Sequence, residues 1–422
     1  MSASGGKSPG GRITAAWIAV ILIYGGVVSQ ILRNAHAAIA PDLMRDIGFA
    51  AESLGLLTGS FFVALAIMQI PVGLLFDRFG ARAIISGLFG LAALGCVLFA
   101  VSDSLAGLVA ARVMMAVGIS GAIIGAFFVL ANWYEAERYP RMTSLQIGAG
   151  QIGVLLAMTP FAALAEWIGW RDAYLVLAAL SAVTVFAVFA FLRDAPSGQA
   201  DPTAPRESLT QALRGLVTVV TDRRFPPMFA MCFVAMPSMI AVLTLLGGPY
   251  LYDRYGLGTI DRANVLFAMG LSVMVAPMVY GQATRWIAPR WIIRAGAAYS
   301  VVVLGALALW PSPPLWATTA LLVLLGASGS YVVMVFTTGR AIFPEHLAGR
   351  VLTALNVAQM SGMAVLQFAV GGIVGAFPSD GGGAPEIAYR VAFAVLALFV
   401  AVAGLYFLRL KAADAAPADA AS

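Results

Sequence analysis

The sequence predicts an all-α membrane protein of twelve spanning helices in two pseudo-symmetric six-helix bundles, both termini cytoplasmic. Three observations predict it. Of 422 residues, 61% are hydrophobic and only 11% charged, whereas a soluble domain carries about 25% charged residues. So few charges cannot cover the surface of a water-soluble chain this long. Apolar runs of spanning length recur from end to end, and one long polar interruption divides them six from six.

The runs fall at 15–41, 53–76, 83–101, 105–132, 143–166, 172–192, 227–250, 263–284, 291–310, 315–340, 350–376 and 389–409. About 20 apolar residues cross a bilayer's hydrocarbon core. In lipid each backbone amide must find its partner inside the segment, so the runs are helices. They lack the alternation of a β-barrel. The first run is too long for a signal-peptide core and has no convincing cleavage site. Cys96 and Cys232 both fall inside predicted helices, which gives no disulfide framework.

Charge orients the segments. With the N-terminus in the cytoplasm, eighteen of the 25 Lys and Arg residues lie on the inner side, five outside and two, Arg33 and Arg112, within helices. That is the positive-inside bias. It explains the net charge of +5, which is therefore no sign of nucleic-acid binding. All eight tryptophans stand near predicted helix ends, as an aromatic belt requires.

The interruption from Arg193 to Phe225 separates a bundle at 1–192 from a bundle at 227–422, with 193–226 as cytoplasmic linker. Its Pro/Ser/Ala-rich start reads as a connector, and its later part as an amphipathic helix on the inner membrane face. The two halves echo each other in order. Gly73, Asp77 and Arg82 have the spacing of Gly281, Arg285 and Arg290. RMTSLQIGAGQIG (Arg141–Gly153) parallels RVLTALNVAQMSG (Arg350–Gly362), and RDAY at Arg171 parallels RVAF at Arg390. Parallel repeats of this kind place a binding site at their interface near the bilayer midplane.

GLLFDRFGAR, Gly73 to Arg82, resembles the G-x-L-x-D-R-x-G-x-R signature that the major facilitator superfamily carries between helices two and three. It sits where that family has it, and the resemblance covers essentially the whole chain. RVMMAVGISGA, from Arg112, is similar to the family's R-x-x-x-G-x-G pattern in helix four, with Ala116 where Gly is usual. WYEAERYPR after segment four and GWRDAY before segment six are similar to further family features. The resemblance implies a gate of Asp77, Arg78, Gly80 and Arg82, with Glu137 and Arg138, that latches the halves when the inner side is shut. A carboxylate at Asp77 near the first turn of segment eleven would meet its positive dipole end. Arg78 and Arg82 have Glu135 and Glu137 as available partners. The alternative is that these charges only orient a solvated loop.

Strongly polar side chains are absent from the middles of segments three, six, nine and twelve, the peripheral helices of the family. They gather in the others. The expected substrate-lining set is Gln30, Arg33 and Asn34 in segment one, Gln146 and Gln151 in five, Tyr331 in ten, and Asn356 and Gln359 in eleven. Arg33 lies about 25 Å from the inner end of its helix at 1.5 Å per residue. An unpaired Arg at depth costs at least about 2.5–3.5 kcal/mol, so it should face a polar cavity and anchor an anionic group. A helix that ended early would instead let Arg33 snorkel to the outer interface. RNAHAAIAP, Arg33 to Pro41, also resembles helix one of organic-phosphate antiporters, although segment seven offers no matching cation. His36 reads as an outer-cavity residue and Arg112 as a structural or coupling residue. Gly118, Gly121 and Gly125 read as packing positions.

No Asp or Glu lies in the middle of any predicted helix, which argues against proton coupling through an embedded acid. Segment five also lacks the pattern of drug/proton antiporters. The expected function is a secondary transporter of a small organic anion, with a co-transported ion as a possible partner. The alternatives are a drug or metabolite efflux permease and a copper transporter. For copper, Met228, Cys232 and Met236 fall on one face of MFAMCFVAMPSM and offer soft ligands, although Met also fills gaps between packed helices. No cofactor, resident metal or enzymatic machinery is expected. The protein is expected as a monomer in a bacterial inner membrane, surrounded by lipid.

Overall fold

The computed structural model describes residues 9–49, 51–135, 137–194, 217–344, 347–377 and 383–410. Their regular structure is helical throughout, with no strand among the described residues. In chain order the helices are α1 (Pro9–Ile47), α2 (Ala51–Phe79), α3 (Ala81–Val101), α4 (Leu105–Ile119), α5 (Ala122–Trp133), α6 (Tyr139–Leu156), α7 (Thr159–Ile168) and α8 (Trp170–Phe191). After the linker follow α9 (Phe225–Ala241), α10 (Gly247–Tyr255), α11 (Thr259–Ala283), α12 (Pro289–Leu309), α13 (Leu315–Ser328), α14 (Val332–Ile342), α15 (Ala348–Gly375) and α16 (Glu386–Phe407). Several pairs form one span with a local defect. A π-turn at Val242–Leu246 joins α9 to α10, and a 3-10 turn at Gly329–Tyr331 joins α13 to α14. Eleven helices among the described residues are long and apolar enough to cross a membrane, and α2 adds a shorter apolar stretch, Ser53–Gln69. The amphipathic part expected of the linker falls largely on 195–216, outside the described residues.

The chain forms two compact units whose boundaries cut α1 and α2. Unit 1 comprises 1–35 and 67–204, and unit 2 comprises 36–66 and 205–422. The later part of α1 and the earlier part of α2 thus pack with α9–α16.

In unit 1, α3 is held between α4 and α8. Gly118 lets α4 approach α3, because a Cβ there would stand 2.6 Å from the Ala92 Cβ. Phe99 stacks on Tyr174 at 4.1 Å between ring centres and meets Trp170 edge-on. Trp170 and Trp133 are buried, and the Trp133 indole donates to the Arg193 carbonyl at 2.7 Å. These two tryptophans stand at helix ends as expected but face the protein, unlike the exposed Trp17, Trp167, Trp286 and Trp316.

The sequence echo from 141–153 to 350–362 has a physical counterpart. On α6, a Cβ at Gly153 would collide with the Val27 carbonyl of α1. On α15, a Cβ at Gly362 would collide with the Phe233 carbonyl of α9. Gly362 follows Gly153 by 209 residues and Phe233 follows Val27 by 206. In unit 2 the approach has a local cause. Pro237 lacks the N–H that would bond the carbonyl four residues back, which leaves the Phe233 oxygen free to face α15.

Candidate functional site

Arg33 lies on α1 in unit 1, half-buried, and its Nε has no hydrogen-bond partner among the described residues. No ion pair of Arg33 occurs there either. One turn back, Gln30 packs beside Gly150 and Gly153 of α6. Asn34 is buried, and its amide donates to the Gln30 backbone carbonyl at 2.8 Å. The sequence has no Asp or Glu within two helical turns of Arg33 on either side. His36 is buried one turn beyond and belongs to unit 2.

Arg112 on α4 is fully buried and reaches the same point of α1 from the side. Its guanidinium donates to the Leu32 carbonyl at 2.9 Å and to the Arg33 carbonyl at 3.4 Å. Those carbonyls carry partial negative charge, so the bonds offset part of the desolvation of a buried cation. Arg112 thereby fixes the backbone from which Arg33 projects. The Arg112 guanidinium therefore lies against the backbone of α1 at the residue that bears the Arg33 side chain.

The amides expected to line a path have distinct surroundings. Gln146 is buried and donates to the Leu22 carbonyl at 2.9 Å, joining α6 to α1, while Gln151 is half-buried on the same helix. In unit 2, Gln359 on α15 donates to the sulfur of Met236 on α9 at 2.7 Å, and Asn356 is half-buried one turn earlier. Tyr331 is buried with its ring against Gly296 of α12. Met228 and Cys232, the other two soft donors of the copper alternative, are buried. No cluster of three or more His, Cys, Asp or Glu able to hold a metal occurs among the described residues.

The signature loop is built around Gly80, whose φ of 77° suits glycine. Asp77 lies in the last turns of α2, and its side chain lies outside the described residues. Arg78 is exposed and stacks over the Phe79 ring at 5.3 Å. Arg82 does not turn to Glu135 or Glu137. Its Nε donates to the Phe189 carbonyl at 2.8 Å and its amide to Asp194 Oδ1 at 2.7 Å. Asn132 donates to the Asp194 carbonyl at 3.1 Å. The free carbonyls at the end of α8 explain this choice, since they attract a cation already in reach. Glu137 and Arg138 lie in an exposed turn before α6.

Sequence reasoning passed over a second polar centre, in unit 2. Asp42 Oδ2 accepts from Arg262 at 2.9 Å and from Thr259 at 3.1 Å, and Arg262 is buried. Gln367 is buried between two hydroxyls, donating to Thr244 at 2.8 Å and accepting from Thr58 at 3.1 Å. Asp42 follows Pro41 at a predicted helix end and Arg262 sits in a predicted outer loop, so both read as solvated charges. Gln367 is a polar residue in an apolar segment, and nothing in the segment itself points to Thr58 or Thr244 as its partners.

Where the described residues resume after 195–216, Asp222 pairs with Arg224 at 2.8 Å, and Arg224 also donates to the Ile342 carbonyl at 3.2 Å. The hydrogen bonds from Arg224 hold the Asp222 carboxyl below the usual carboxylate range.

Known proteins of the same kind agree with this architecture. The family model described as Major Facilitator Superfamily matches residues 22–367. A probable nitrate/nitrite transporter of Mycobacterium tuberculosis, NarK2, is 27% identical over 374 residues, covering 87% of this chain and 86% of its own. A probable sulfoacetate transporter of Cupriavidus necator, SauU, is 25% identical over 177 residues, covering 42% of this chain and 41% of its own. Among solved structures, an inward-facing, occupied bacterial homologue of the human lysosomal transporter Spinster superimposes with a TM-score of 0.77. That match covers 97% of this chain and 99% of the other at 18% identity, and so speaks for the fold alone. With its apolar helices and its match to the family model, the chain is an integral membrane protein, not an enzyme, and it belongs to the Major Facilitator Superfamily of transporters.

Proposed function

We propose that the protein is a secondary active transporter of a small organic anion, with Arg33 as the anchor for the anionic group. One observation carries this reading: a half-buried guanidinium at depth in a spanning helix, its Nε unpartnered, beside a second buried guanidinium and with no acid within two turns on its own helix. Such a site is short of negative charge, and a bound carboxylate or sulfonate supplies it with charge-assisted hydrogen bonds. The names of the relatives, for nitrate or nitrite and for sulfoacetate, are those of anion transporters and support the class. Gln30, Asn34 and Gln151 then orient the neutral part of the substrate, with Gln146 bracing α6. Asn356, Gln359 and Tyr331 serve in the second half.

The mechanism proposed is alternating access by two six-helix halves, 1–192 and 227–422, joined by the linker at 193–226. The loop of Asp77, Arg78, Gly80 and Arg82, with Glu137 and Arg138, gates the inner side. A ligand drives such a cycle only through unequal affinity for the two states. The Asp42–Arg262 pair and the Thr58–Gln367–Thr244 chain join the parts of α1 and α2 in unit 2 to α11, α15 and the π-turn after α9. The cycle must break both.

The test is a thermal-shift screen of the purified chain against carboxylates, sulfonates, nitrate, sugars and metal ions, followed by Arg33→Gln. An anion should stabilise the wild type and lose that effect in the variant, with the unliganded melting temperature nearly unchanged. Stabilisation that persists undiminished in Arg33→Gln rejects the anchor. Stabilisation by copper alone, lost in Cys232→Ser, would favour the metal reading.

A further inference from the structure

Unit 1 carries a half-open groove of about 640 Å³ between the early turns of α1 and the last turns of α8. Trp17, Ile21 and Tyr24 form one wall, and Val183, Ala187 and Phe191 the other. The Tyr24 hydroxyl is already spent, donating to the Leu180 carbonyl at 3.1 Å. All six wall residues lie in helices long and apolar enough to cross a membrane, Ala15–Ile47 and Trp170–Phe191. An apolar cavity stays dry because water finds too few polar partners there. At this depth the available filler is hydrocarbon.

The end of the groove has a different character. After Phe191 and Leu192 the chain reaches Arg193, which is exposed. The acid beside it is occupied, since Asp194 Oδ1 accepts from the Arg82 amide. Trp17, 64% exposed, stands in the wall formed by α1. An apolar slot walled by an indole suited to the headgroup zone, with an exposed cation two residues past the wall residue Phe191, matches the two ends of a phospholipid.

We propose that the groove between α1 and α8 is a lipid site, in which one acyl chain of an anionic phospholipid lies along the slot and Arg193 holds its headgroup. The site is separate from the anion path on α1, and the proposal does not rest on the transport reading. An occupied slot braces the early turns of α1 against α8, so bilayer composition acts on the helix that carries Arg33.

The experiment uses the full chain in bilayer nanodiscs of phosphatidylcholine with a minor fraction of dibrominated lipid, whose bromines quench nearby indoles. The Trp17 signal is the difference between the wild type and Trp17→Phe, and the signal of the exposed Trp167 is obtained likewise. Brominated phosphatidylglycerol should quench Trp17 several-fold more than brominated phosphatidylcholine does, and more than it quenches Trp167. Ala187→Leu, which fills the slot, should remove the excess without lowering the melting temperature, and Arg193→Gln should equalise the two lipids. Native mass spectrometry supplies a readout independent of tryptophan: the wild type should retain a phosphatidylglycerol molecule that Ala187→Leu loses. Equal quenching of Trp17 and Trp167, or retention of the lipid by Ala187→Leu, overturns the site. Equal quenching by the two lipids in the wild type overturns its preference for an anionic headgroup.

Discussion

Asp42 and Arg262 form an ion pair at 2.9 Å across 220 residues of chain, with the arginine buried and the carboxylate one-fifth exposed. Arg262 also donates to the Leu257 carbonyl at 2.9 Å and lies over the Tyr252 ring at 5.2 Å. The two partners are therefore unequal. Removing the acid strands a buried cation, whereas removing the cation leaves an acid with access to water and to Arg45. Asp42→Ala should destabilise unit 2 by an amount toward the low end of about 3–5 kcal/mol. Arg262→Met should cost less. Thermal melting of the two purified variants decides; equal losses would show that the burial of Arg262 is not what matters.

The paired approaches of Gly153 to Val27 and of Gly362 to Phe233 leave no room for a methyl group. Gly153→Ala and Gly362→Ala should each cost about 1–3 kcal/mol by overpacking. Gly87 on α3 has only open space within 4 Å of where a Cβ would stand, so Gly87→Ala is the control and should be neutral or stabilising. Melting curves for the three variants test the ranking. A neutral Gly362→Ala would mean that α15 yields easily.

Gly80 combines a positive φ with a neighbour, Asp194, that a side chain would strike. Gly80→Ala should cost about 1–3 kcal/mol from the positive-φ, extended-ψ backbone alone, and more from displacing Asp194. Gly73→Ala, in the same signature but with open space around it, should not. The comparison separates a structural demand at Gly80 from a general demand of the loop. Loss of stability in both variants to the same degree would refute the local argument.

The Asp222–Arg224 pair predicts a pH dependence of definite sign. Its carboxyl is depressed in the fold relative to an ordinary Asp, near 3.9. Stability from this pair is therefore present above about pH 4 and is lost as pH falls through the lower, folded value. The wild type's advantage over Asp222→Asn should hold at neutral pH and narrow only in that acidic window. Melting temperatures measured from neutral to acidic pH test this, and a wild-type advantage lost between pH 8 and 6 would contradict it. Both side chains are about one-quarter exposed, so water screens the pair in part and the effect is modest and shrinks with salt.

Much of the fold was legible in the sequence. The apolar runs announced the spanning helices, and the 141–153 and 350–362 echo read as a repeat, while the close helix approaches at Gly153 and Gly362 came only with the structure. The candidate site was legible in part. Arg33 stood out because a cation within an apolar run is costly wherever it points. Gln146 and Arg112 stood out as polar, yet nothing local showed that their partners are carbonyls of α1. Arg82 was visible as a signature residue, but its partner on α8 was not.

The sequence by itself determined that this chain lives in a membrane, how its apolar segments are spaced, and which charges fall within apolar runs. Those properties belong to each segment separately, because transfer to hydrocarbon depends on local composition and on hydrogen bonds within one helix. Only the tertiary structure decided which polar groups are satisfied. Asp42 finds Arg262 and Thr58 finds Gln367 because distant helices bring them within 3.1 Å. Hydrogen bonds and ion pairs act over such short distances that no local pattern of residues can specify them.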